Sequence, residues 1–541
     1  MASPKSIPWR WTGAAASWAW AFAALAPPAL AQPAWQADPE LAALSEKEVP
    51  GALETLRRLT SIDSGTGQGS GMAAIADLVE QFVKPLGGEI DRVTPANGVA
   101  GPNVVVTFKG KGQRRIMLMS HMDTVYPAGT AAARPFRIDG NRAIAPGIAD
   151  DKGGIAVFLH AVKLLKARGF DDYERITMVF NSDEERGSSG SRDLIRTRAQ
   201  QHDAILSGEP TTQNEGIVMA TSGVGQLSAR LRFGGPFGTT EARPIEELAD
   251  LVLRSKDVQQ QVPGTRMNWT VARAEDPRGL ERLPAAEYSL RTLTFRIQGR
   301  ASHAGVAPDQ GVNALIETAR LVQRVSAAAA AVDGARLHWR TASAGLVSNI
   351  IADRGQAVAE LAVPKALDAT AVVSALLERG RQASLADAQV SAEASEGLAA
   401  RTGGSGEALA TADVRVPDAA TMPVLSQQAR QAIGNPKFPG STITVQDGLG
   451  FPAYNASEEG RRLAERARTI YAALGGKLEL IARTYGGTDA VWAAQSGKPV
   501  VESMGLPGGN YHSSEEEFVL IDRIGRRLAL VAEMIRALAK P

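Results

Sequence analysis

The chain has 541 residues, of which 44% are hydrophobic and 22% charged, and its formal net charge is +1. This composition is that of a globular protein large enough to form two or more hydrophobic cores. The near-neutral charge gives no reason to expect a nucleic acid or an acidic membrane surface as partner. The lack of cysteine in the sequence excludes disulfide bonds, thiolate metal ligands and a cysteine nucleophile.

Residues 1–31 are typical of a secretory signal peptide. Lys5 and Arg10 precede an apolar run from about Trp11 to Leu25, and Ala29-Leu30-Ala31 forms a small-residue cleavage site. The alternative is an uncleaved membrane anchor, but the run is short and a pair of prolines follows it. We therefore expect an exported protein, periplasmic or secreted, with no membrane contact after cleavage.

Strands and helices alternate through the first part of the chain after this segment. Apolar runs predict buried strands at Val104–Phe108, Ile116–Met119, Ile176–Phe180 and Ala204–Ser207. Helical spacing of apolar residues predicts helices at Pro39–Leu59, Met72–Leu86, Ile155–Arg168 and Ser191–Gln200. Such alternation predicts a mostly parallel sheet with helices on both faces.

The pattern changes after Gly223 and changes back around Leu449. Between these points, strands at Gln226–Phe233 and Ser289–Ile297 predict an antiparallel sheet, accompanied by helices at Ile245–Lys256, Val312–Val325 and Asp368–Arg379. The last of these helices has Asp368 as its predicted N-cap and Gly380 just past its end. After the second change come a helix at Ala456–Leu474, a strand at Val500–Ser503 and a closing helix from about Ile521.

The predicted fold class is therefore α/β, with two domains. One is built on the mostly parallel sheet and combines residues 32–224 with residues 449–541. The other is an α+β domain of residues 225–448 that splits the first in sequence. Because open α/β sheets hold their chemistry just past the carboxyl ends of parallel strands, we expect the functional residues in those loops.

Residues that can bind metal ions follow the predicted parallel strands. They are His121 with Asp123, Asp150, Glu184 with Glu185, and Glu209, and a late loop adds His512. Carboxylates crowded at one edge of a sheet repel one another unless a cation neutralises them. Two imidazoles and three carboxylates suit a pair of zinc ions, with one carboxylate bridging and positions open for water and substrate. Each residue alone is equally well explained as a surface acid, a capping Asp or a hydrogen-bonded His, but their joint placement favours the metal site.

Several short motifs stand at these positions and further along the chain. They are His121-Met122-Asp123-Thr124-Val125, Gly147-Ile148-Ala149-Asp150-Asp151-Lys152-Gly153-Gly154, Asp183-Glu184-Glu185, Glu209-Pro210-Thr211, Ala301-Ser302-His303-Ala304-Gly305, Gly486-Gly487-Thr488-Asp489 and Tyr511-His512-Ser513. With them the sequence resembles a family of di-zinc exopeptidases that includes glutamate carboxypeptidase, bacterial dipeptidases, aminoacylase and succinyl-diaminopimelate desuccinylase. The resemblance is closest to glutamate carboxypeptidase and covers nearly the whole chain after the signal peptide, with two long insertions.

The resemblance implies a role for each residue of the predicted metal site. Asp150 would bridge two zinc ions, His121 and Glu209 would hold one of them, and Glu185 and His512 would hold the other. Asp123 would orient His121, and Glu184 would be the general base toward a metal-bridging water and later protonate the leaving amine. Two zinc ions per chain are implied, with cobalt or manganese as alternatives. The family also carries a cis peptide bond at the position of Asp150–Asp151.

The resemblance extends to residues of the predicted second domain, which would act as a lid. His303 and Asn349 would stabilise the oxyanion, and Arg415 would bind the substrate carboxylate. Gly487 and Thr488 are expected to contact the substrate. The remaining histidines match no motif and are interpreted as structural; they are His160, His202 and His338.

Two departures from glutamate carboxypeptidase concern the expected substrate. That enzyme carries an Arg before a Pro-Ala-aromatic-Asn stretch, where this chain has Phe451. A Lys of the closest relatives also has no counterpart near Gly216-Ile217-Val218. Losing two cations from a pocket disfavours a doubly negative substrate. We therefore expect neutral or apolar residues to be preferred over glutamate as the released amino acid.

The two insertions are interpreted as one nested duplication of the lid. The stretch Arg266–Ala272 is echoed by Arg336–Ala342, each after a strand and a helix, although short strand–helix units also resemble one another by chance. An outer copy of roughly 225–287 and 386–448 would surround an inner copy of 288–385. In dimeric relatives the oxyanion His and Asn come from the partner's lid. Here they fall in the inner copy, so we expect a monomer, with a homodimer as the alternative.

The predicted activity is that of an exported zinc-dependent hydrolase resembling a metallocarboxypeptidase. It would cleave a peptide or N-acyl amino acid amide bond next to a free carboxylate. A dipeptidase, aminoacylase or desuccinylase would use the same residues, so these alternatives stay open at this point. An inactive binding protein would require a missing ligand or base, and every expected ligand and base is present.

Overall fold

The computed structural model describes residues 35–233, 243–305, 308–345, 347–399, 407–512 and 516–540. The predicted signal peptide, residues 1–31, lies outside the described residues. Described residues from Gln36 onward belong to one compact unit. None of the helices described in it is long and apolar enough to cross a membrane.

Each predicted helix has an observed counterpart within a few residues. The helices are α1 (Pro39–Thr60), α2 (Gly69–Val83), α3 (Thr130–Ala133), α4 (Lys152–Ala167), α5 (Arg192–Gln200), α6 (Pro244–Gln261), α7 (Ala314–Ala330), α8 (Ala369–Arg381), α9 (Thr421–Ile433), α10 (Glu458–Ala473), α11 (Ala490–Ala494) and α12 (Ile521–Ala539). Of these, α3, α9 and α11 are additional. Short 3₁₀ turns lie at Lys84–Leu86, Glu184–Arg186 and Pro308–Gln310.

The strands include several short ones that the sequence pattern does not predict. They are β1 (Glu89–Val93), β2 (Asn103–Lys109), β3 (Arg115–His121), β4 (Arg137–Asp139), β5 (Arg142–Ile144), β6 (Arg175–Asn181), β7 (Ala204–Ser207), β8 (Thr211–Thr212), β9 (Gly216–Val218), β10 (Gly223–Phe233), β11 (Arg266–Glu275), β12 (Tyr288–Gln298), β13 (Arg336–Ala344), β14 (Arg354–Pro364), β15 (Gln389–Glu396), β16 (Glu407–Val416), β17 (Ser441–Phe451), β18 (Glu479–Ile481), β19 (Val500–Val501), β20 (Pro507–Gly509) and β21 (Phe518–Leu520).

A six-stranded sheet carries the predicted parallel strands, in the order β1-β2-β6-β3-β7-β19. The pairs β6–β3, β3–β7 and β7–β19 are parallel, whereas β1 and β2 add an antiparallel edge. Strands β3 and β6 are almost wholly buried, which explains their continuous apolar sequences. Helices α1, α4 and α12 pack against one another, and α4 and α12 also contact β3. The α/β fold class is confirmed.

A second, eight-stranded sheet is antiparallel throughout and has the order β15-β12-β14-β13-β11-β16-β10-β17. Each half of the sheet has the same order of elements along the chain, strand–helix–strand–strand–helix–strand. Within each half, the four strands also lie side by side in the same order: the second strand, then the third, the first and the fourth. The outer copy consists of β10, α6, β11, β16, α9 and β17. The inner copy consists of β12, α7, β13, β14, α8 and β15. They join where the second strand of each copy, β11 and β13, pairs edge to edge.

The same buried contact occurs once in each copy. A glutamate in the first helix accepts N–H bonds from the loop after the second helix and faces an arginine seven residues later. In the outer copy these residues are Glu247, Arg254, Lys437 and Phe438, and in the inner copy they are Glu317, Arg324, Ser384 and Leu385. If the two halves resembled each other only by chance, there would be no reason for both to contain this contact. The nested duplication, which remains a proposal, gains support from it.

Several predicted boundaries are wrong by a few residues; the helices predicted to end at Lys256 and Val325 continue to Gln261 and Ala330. Two further differences have a clear physical reason. Asp368 is the N-cap of α8 as expected, accepting N–H bonds from residues 370 and 371, but Gly380 lies inside the helix. A Cβ at Gly380 would collide with the ring of Phe295, so this glycine allows close packing and does not end the helix. Strand β19 stops at Val501, because Ser503 already adopts a positive φ of 63°.

Candidate metal centre and active site

Three neighbouring parallel strands bring the predicted site residues to one sheet edge. The register aligns His121 of β3 with Asn181 of β6, and Met119 of β3 with Ser207 of β7. Asp123, Glu184, Glu185 and Glu209 follow these strand ends within a few residues. Asp150 lies just before α4, and His512 lies in the turn after β20.

The carboxylate of Asp150 lies between two imidazoles. Its Oδ1 is 3.0 Å from Nε2 of His121, and its Oδ2 is 3.0 Å from Nε2 of His512. Oε1 of Glu185 is also 3.0 Å from Nε2 of His512, whereas Oε1 of Glu209 is 3.9 Å from Nε2 of His121. The structure therefore brings the other four predicted ligands together around Asp150.

Asp123 holds both sides of this centre. Its carboxylate accepts the backbone N–H of Glu184 (3.0 Å) and of Glu185 (3.1 Å), and the hydroxyl of Thr66 (2.6 Å). Nδ1 of His121 lies 3.0 Å from the backbone oxygen of Asp123 and 3.3 Å from its Oδ1. One buried aspartate thus fixes a histidine and the following acidic turn together.

Glu517 is a residue of this site that the sequence does not single out. Its buried carboxylate accepts N–H bonds from Gly147 (2.9 Å), Ala149 (2.9 Å) and Asp150 (3.0 Å), and the hydroxyl of Tyr126 (2.8 Å). It therefore fixes the loop that presents Asp150, whose peptide bond to the next residue is cis. No local pattern marks Glu517, because its partners lie more than 360 residues earlier.

The electrostatics of the site are those of crowded, buried charges. Burial raises the pKa of Glu184 and of Glu209 well above the usual value, and other carboxylates nearby raise both further. Burial opposes the charged forms of His121 and His512, but the adjoining carboxylates outweigh it and raise the pKa of both. Asp150, between the two imidazoles, has its pKa lowered instead. Buried carboxylates crowded in this way repel one another unless cations neutralise them.

The donor set fits a pair of metal ions. Among the described residues, the ligand atoms of His121, Glu184 and Glu209 lie within 4.8 Å of one another, and so do those of His121, Asp150 and Glu185. On the other side of Asp150, Nε2 of His512 lies 3.0 Å from both Asp150 and Glu185. Imidazole and carboxylate donors without sulfur suit zinc, and also cobalt or manganese. Glu184, predicted as a base, lies close to His121 and Glu209, where it could reach a water held by the ions.

The eight-stranded sheet contributes His303 to this centre. The ring of His303 stacks on that of His512, with centroids 4.8 Å apart and an interplanar angle of 30°. Burial lowers the pKa of His303 well below its usual value, and the positive charges of His512 and Arg415 add to this. The N–H of Gly305 donates to Nδ1 of His303 (3.0 Å), so the neutral ring carries its proton on Nε2.

Arg415 is held from two sides. Asp413 accepts its Nε (2.7 Å) and Nη2 (2.8 Å), and the backbone oxygen of Tyr485 accepts its Nη1 (3.0 Å). Two of its five N–H groups then have no partner among the described residues. The guanidinium is buried, so it presents a rigid pair of donors rather than a mobile charge.

A cavity of about 1740 Å³ is lined both by the predicted metal ligands and by residues from the domain of the eight-stranded sheet. The predicted residues that line it are Asp150, Glu184, Glu185, Glu209, His303, Asn349, Arg415, Gly487 and His512. Thr488 does not line it, since its buried side chain binds the N–H of Ala490 (3.1 Å) and the carboxylate of Glu502. The expected substrate contact through the Thr488 side chain is therefore not supported by its position.

The wall of the cavity near Gly487 is aromatic. Phe451 is 7% exposed, and its ring centroid lies 5.9 Å from that of Trp492. A Cβ on Gly487 would approach the Phe451 ring to 3.2 Å, so the two residues are in close contact. Two arginines that the sequence does not single out, Arg134 and Arg186, also line the cavity and form no ion pair with another described residue.

Sequence comparison places the chain among known peptidases. Residues 117–537 match the model of peptidase family M20/M25/M40. Carboxypeptidase G2 of Pseudomonas sp. (strain RS-16) is 35% identical over 489 residues, which cover 90% of this chain and 89% of that protein.

Solved structures share the fold at low sequence identity. The di-peptidase Dug1p of Saccharomyces cerevisiae is 13% identical, with a TM-score of 0.52, over 93% of this chain and 98% of that one. Human carnosine dipeptidase 1 is 14% identical, with a TM-score of 0.51 and the same coverage of both chains. The fold is therefore shared across chains whose sequences have diverged widely.

Proposed function

The chain belongs to peptidase family M20/M25/M40 and is a metallopeptidase, and we propose that it is an exported zinc exopeptidase of carboxypeptidase type. It would hydrolyse a peptide or N-acyl amino acid amide bond next to a free carboxylate. The observation that carries the proposal is the Asp150 carboxylate, which joins His121 and His512 while His303 stacks on the latter. Metal ligands and an oxyanion donor then face one reacting centre.

The chain's own residues supply positioning and proton transfer. Asp150 would bridge two ions, His121 and Glu209 would hold one, and Glu185 and His512 would hold the other. Zinc held by these residues would polarise the scissile carbonyl and lower the pKa of a bound water. Glu184 takes a proton from the attacking water and delivers it to the leaving amine.

Residues from the domain of the eight-stranded sheet would bind the two negatively charged groups of the reacting substrate, the oxyanion and the terminal carboxylate. His303, with its proton on Nε2, and Asn349 donate hydrogen bonds to the oxyanion as the carbonyl becomes tetrahedral. Arg415 offers its two remaining N–H groups to the terminal carboxylate of the substrate. Asp413 keeps the guanidinium in that orientation.

A metal assay combined with a substrate panel tests this function. We expect about two zinc ions per chain, loss of turnover with a chelator, and recovery with zinc, cobalt or manganese. The panel contains dipeptides, N-acetyl and N-benzoyl amino acids and N-succinyl diamino acids, so it separates carboxypeptidase, dipeptidase, aminoacylase and desuccinylase activities. A metal-loaded chain that hydrolyses none of them contradicts the proposal.

Export is tested separately. If the signal peptide is cleaved after Ala31, the exported protein begins at Gln32. N-terminal sequencing of protein recovered from outside the cytoplasm checks this, and an intact N-terminus retained in the membrane would favour the anchor instead.

A further inference from the structure

Asn268, on β11 of the outer copy, reaches across the joint to the loop of the inner copy that carries Asn349. Its side chain is 5% exposed. Its Nδ2 donates to the backbone oxygens of Ser348 and Ile350, both at 2.8 Å. Its Oδ1 accepts Nδ2 of Asn313 at 3.0 Å. Both donors of the carboxamide are thus committed to the two carbonyls that flank Asn349.

The loop held by Asn268 is also tied to His303. The N–H of Ala304 donates to the backbone oxygen of Asn349 (2.8 Å), and His303 pairs with Ile350 as an isolated antiparallel bridge. Fixing the loop therefore fixes the segment that carries the second oxyanion donor. Asn313, the third partner of Asn268, is the N-cap of α7, so this contact anchors the loop to a helix.

We propose that Asn268 is a positioning residue of the hydrolytic reaction and acts through Asn349. The inference rests on the proposed function, in which Asn349 donates to the oxyanion. A donor stabilises the transition state only when it already points to the position that the oxyanion will occupy. The side-chain amide of Asn268 binds the carbonyls on both sides of Asn349. Rotation of the Asn349 backbone would therefore break hydrogen bonds to β11.

The inner copy supplies a matched control. Equivalent positions of the two copies differ by 70 residues here, so His338 corresponds to Asn268 and Asn349 corresponds to Gly279. On β13, His338 makes the reverse contact, with its Nε2 3.2 Å from Oδ2 of Asp276 in the outer copy's loop. That loop carries none of the proposed site residues. His338→Ala therefore removes a contact across the same joint, at the matching strand position, without touching the loop of Asn349.

A double-mutant cycle tests the proposal. We expect Asn268→Ala to lower kcat by about 10- to 100-fold, less than the 10²–10³-fold typical of losing an oxyanion donor outright, with KM little changed. The double variant Asn268→Ala/Asn349→Ala should lose clearly less than the product of the two single losses, because the effect that acts through Asn349 is already gone. His338→Ala should keep the wild-type kcat even if its melting temperature falls.

A second variant and a second measurement separate positioning from general loss of structure. Asn268→Asp keeps the size of the side chain and the acceptor for Asn313 but removes both donors, so it should lose kcat as alanine does. Hydrogen–deuterium exchange of residues 348–351 should become faster in both Asn268 variants and stay unchanged in His338→Ala.

Any of the following kinetic results would overturn the inference: losses that multiply in the double variant, a wild-type kcat in Asn268→Ala, or an equal loss in His338→Ala. Unchanged exchange at 348–351 would also overturn it. A wild-type enzyme inactive on the whole panel would instead overturn the proposed function, and the exchange measurement would still decide whether Asn268 holds the loop.

Discussion

At the scale of single residues, adjacent carboxylates receive different tasks from their surroundings. The backbone N–H groups of Glu184 and Glu185 both donate hydrogen bonds to the carboxylate of Asp123. The side chain of Glu185 then meets His512 at 3.0 Å, whereas no imidazole lies at hydrogen-bond distance from Glu184 among the described residues. This arrangement favours Glu185 as a ligand and leaves the Glu184 carboxylate for proton transfer.

Glu184→Gln should therefore keep the fold and both metal ions while kcat falls by about 10²–10⁴-fold, the range usual for general acid–base groups. The amide keeps the size of the side chain but cannot accept the proton of the attacking water. Metal content by mass spectrometry and kcat on the best panel substrate check this. As a control, Glu209→Gln should lose metal as well as rate, and a Glu184→Gln variant that keeps more than about a tenth of the wild-type rate contradicts the role.

The released amino acid is predicted to be neutral or apolar, because Phe451 lines the cavity beside Gly487. Matched substrates ending in Glu, Leu and Phe should give the lowest kcat/KM for Glu. Phe451→Arg should move the ratio toward Glu by about 10-fold or more, as expected of a charge pair that is partly desolvated. Phe451→Leu is the control and should leave the Leu-over-Glu preference in place.

A clear preference of the wild type for Glu would contradict this prediction. It would direct attention to Arg186, which lines the cavity without an ion pair to a described residue.

At the scale of secondary structure, hydrophobic periodicity predicted the strands, helices and caps that depend on neighbouring residues in the sequence. The buried strand β7 and the start of α12 fall on the predicted residues, and Asp368 caps α8 as expected. Gly380 was misplaced, because its role depends on Phe295, a contact across 85 residues that no local pattern records. Glu517 and Asn268 were missed for the same reason, whereas the predicted metal ligands could be singled out because each stands in a short motif.

Gly380→Ala should lower the free energy of unfolding by about 1–3 kcal/mol, the usual cost of overpacking a core. The added methyl group has no space between α8 and the ring of Phe295. Urea denaturation followed by circular dichroism measures the change. Gly448→Ala in β17 is the control, since a Cβ there meets no atom within 4 Å, and its stability should stay near that of the wild type. Equal stability of the two variants would contradict the packing role.

At the scale of the whole molecule, the two copies in the eight-stranded sheet meet as equivalent surfaces. Strands β11 and β13 occupy the same position in each copy and pair antiparallel, as the two sides of a two-fold dimer interface would. Helices α6 and α7, also equivalent, pack beside this joint. The copies nevertheless differ in what they supply, since His303 and Asn349 belong to the inner copy and Arg415 to the outer one.

We therefore expect a monomer whose inner copy takes the place of a partner subunit. Covalent linkage makes the inner copy's encounter with the site intramolecular, so the site is complete at any concentration of the chain. Closure would occur by hinge motion near residues 224 and 449, where the pairing of β10 with β17 shifts register between Val224 and Gly225. Light scattering should give the mass of one chain, and specific activity should not change on dilution. Mixing Glu184→Gln with His303→Ala provides the decisive check, because a site shared between two chains would regain activity in mixed dimers and a site within one chain would not.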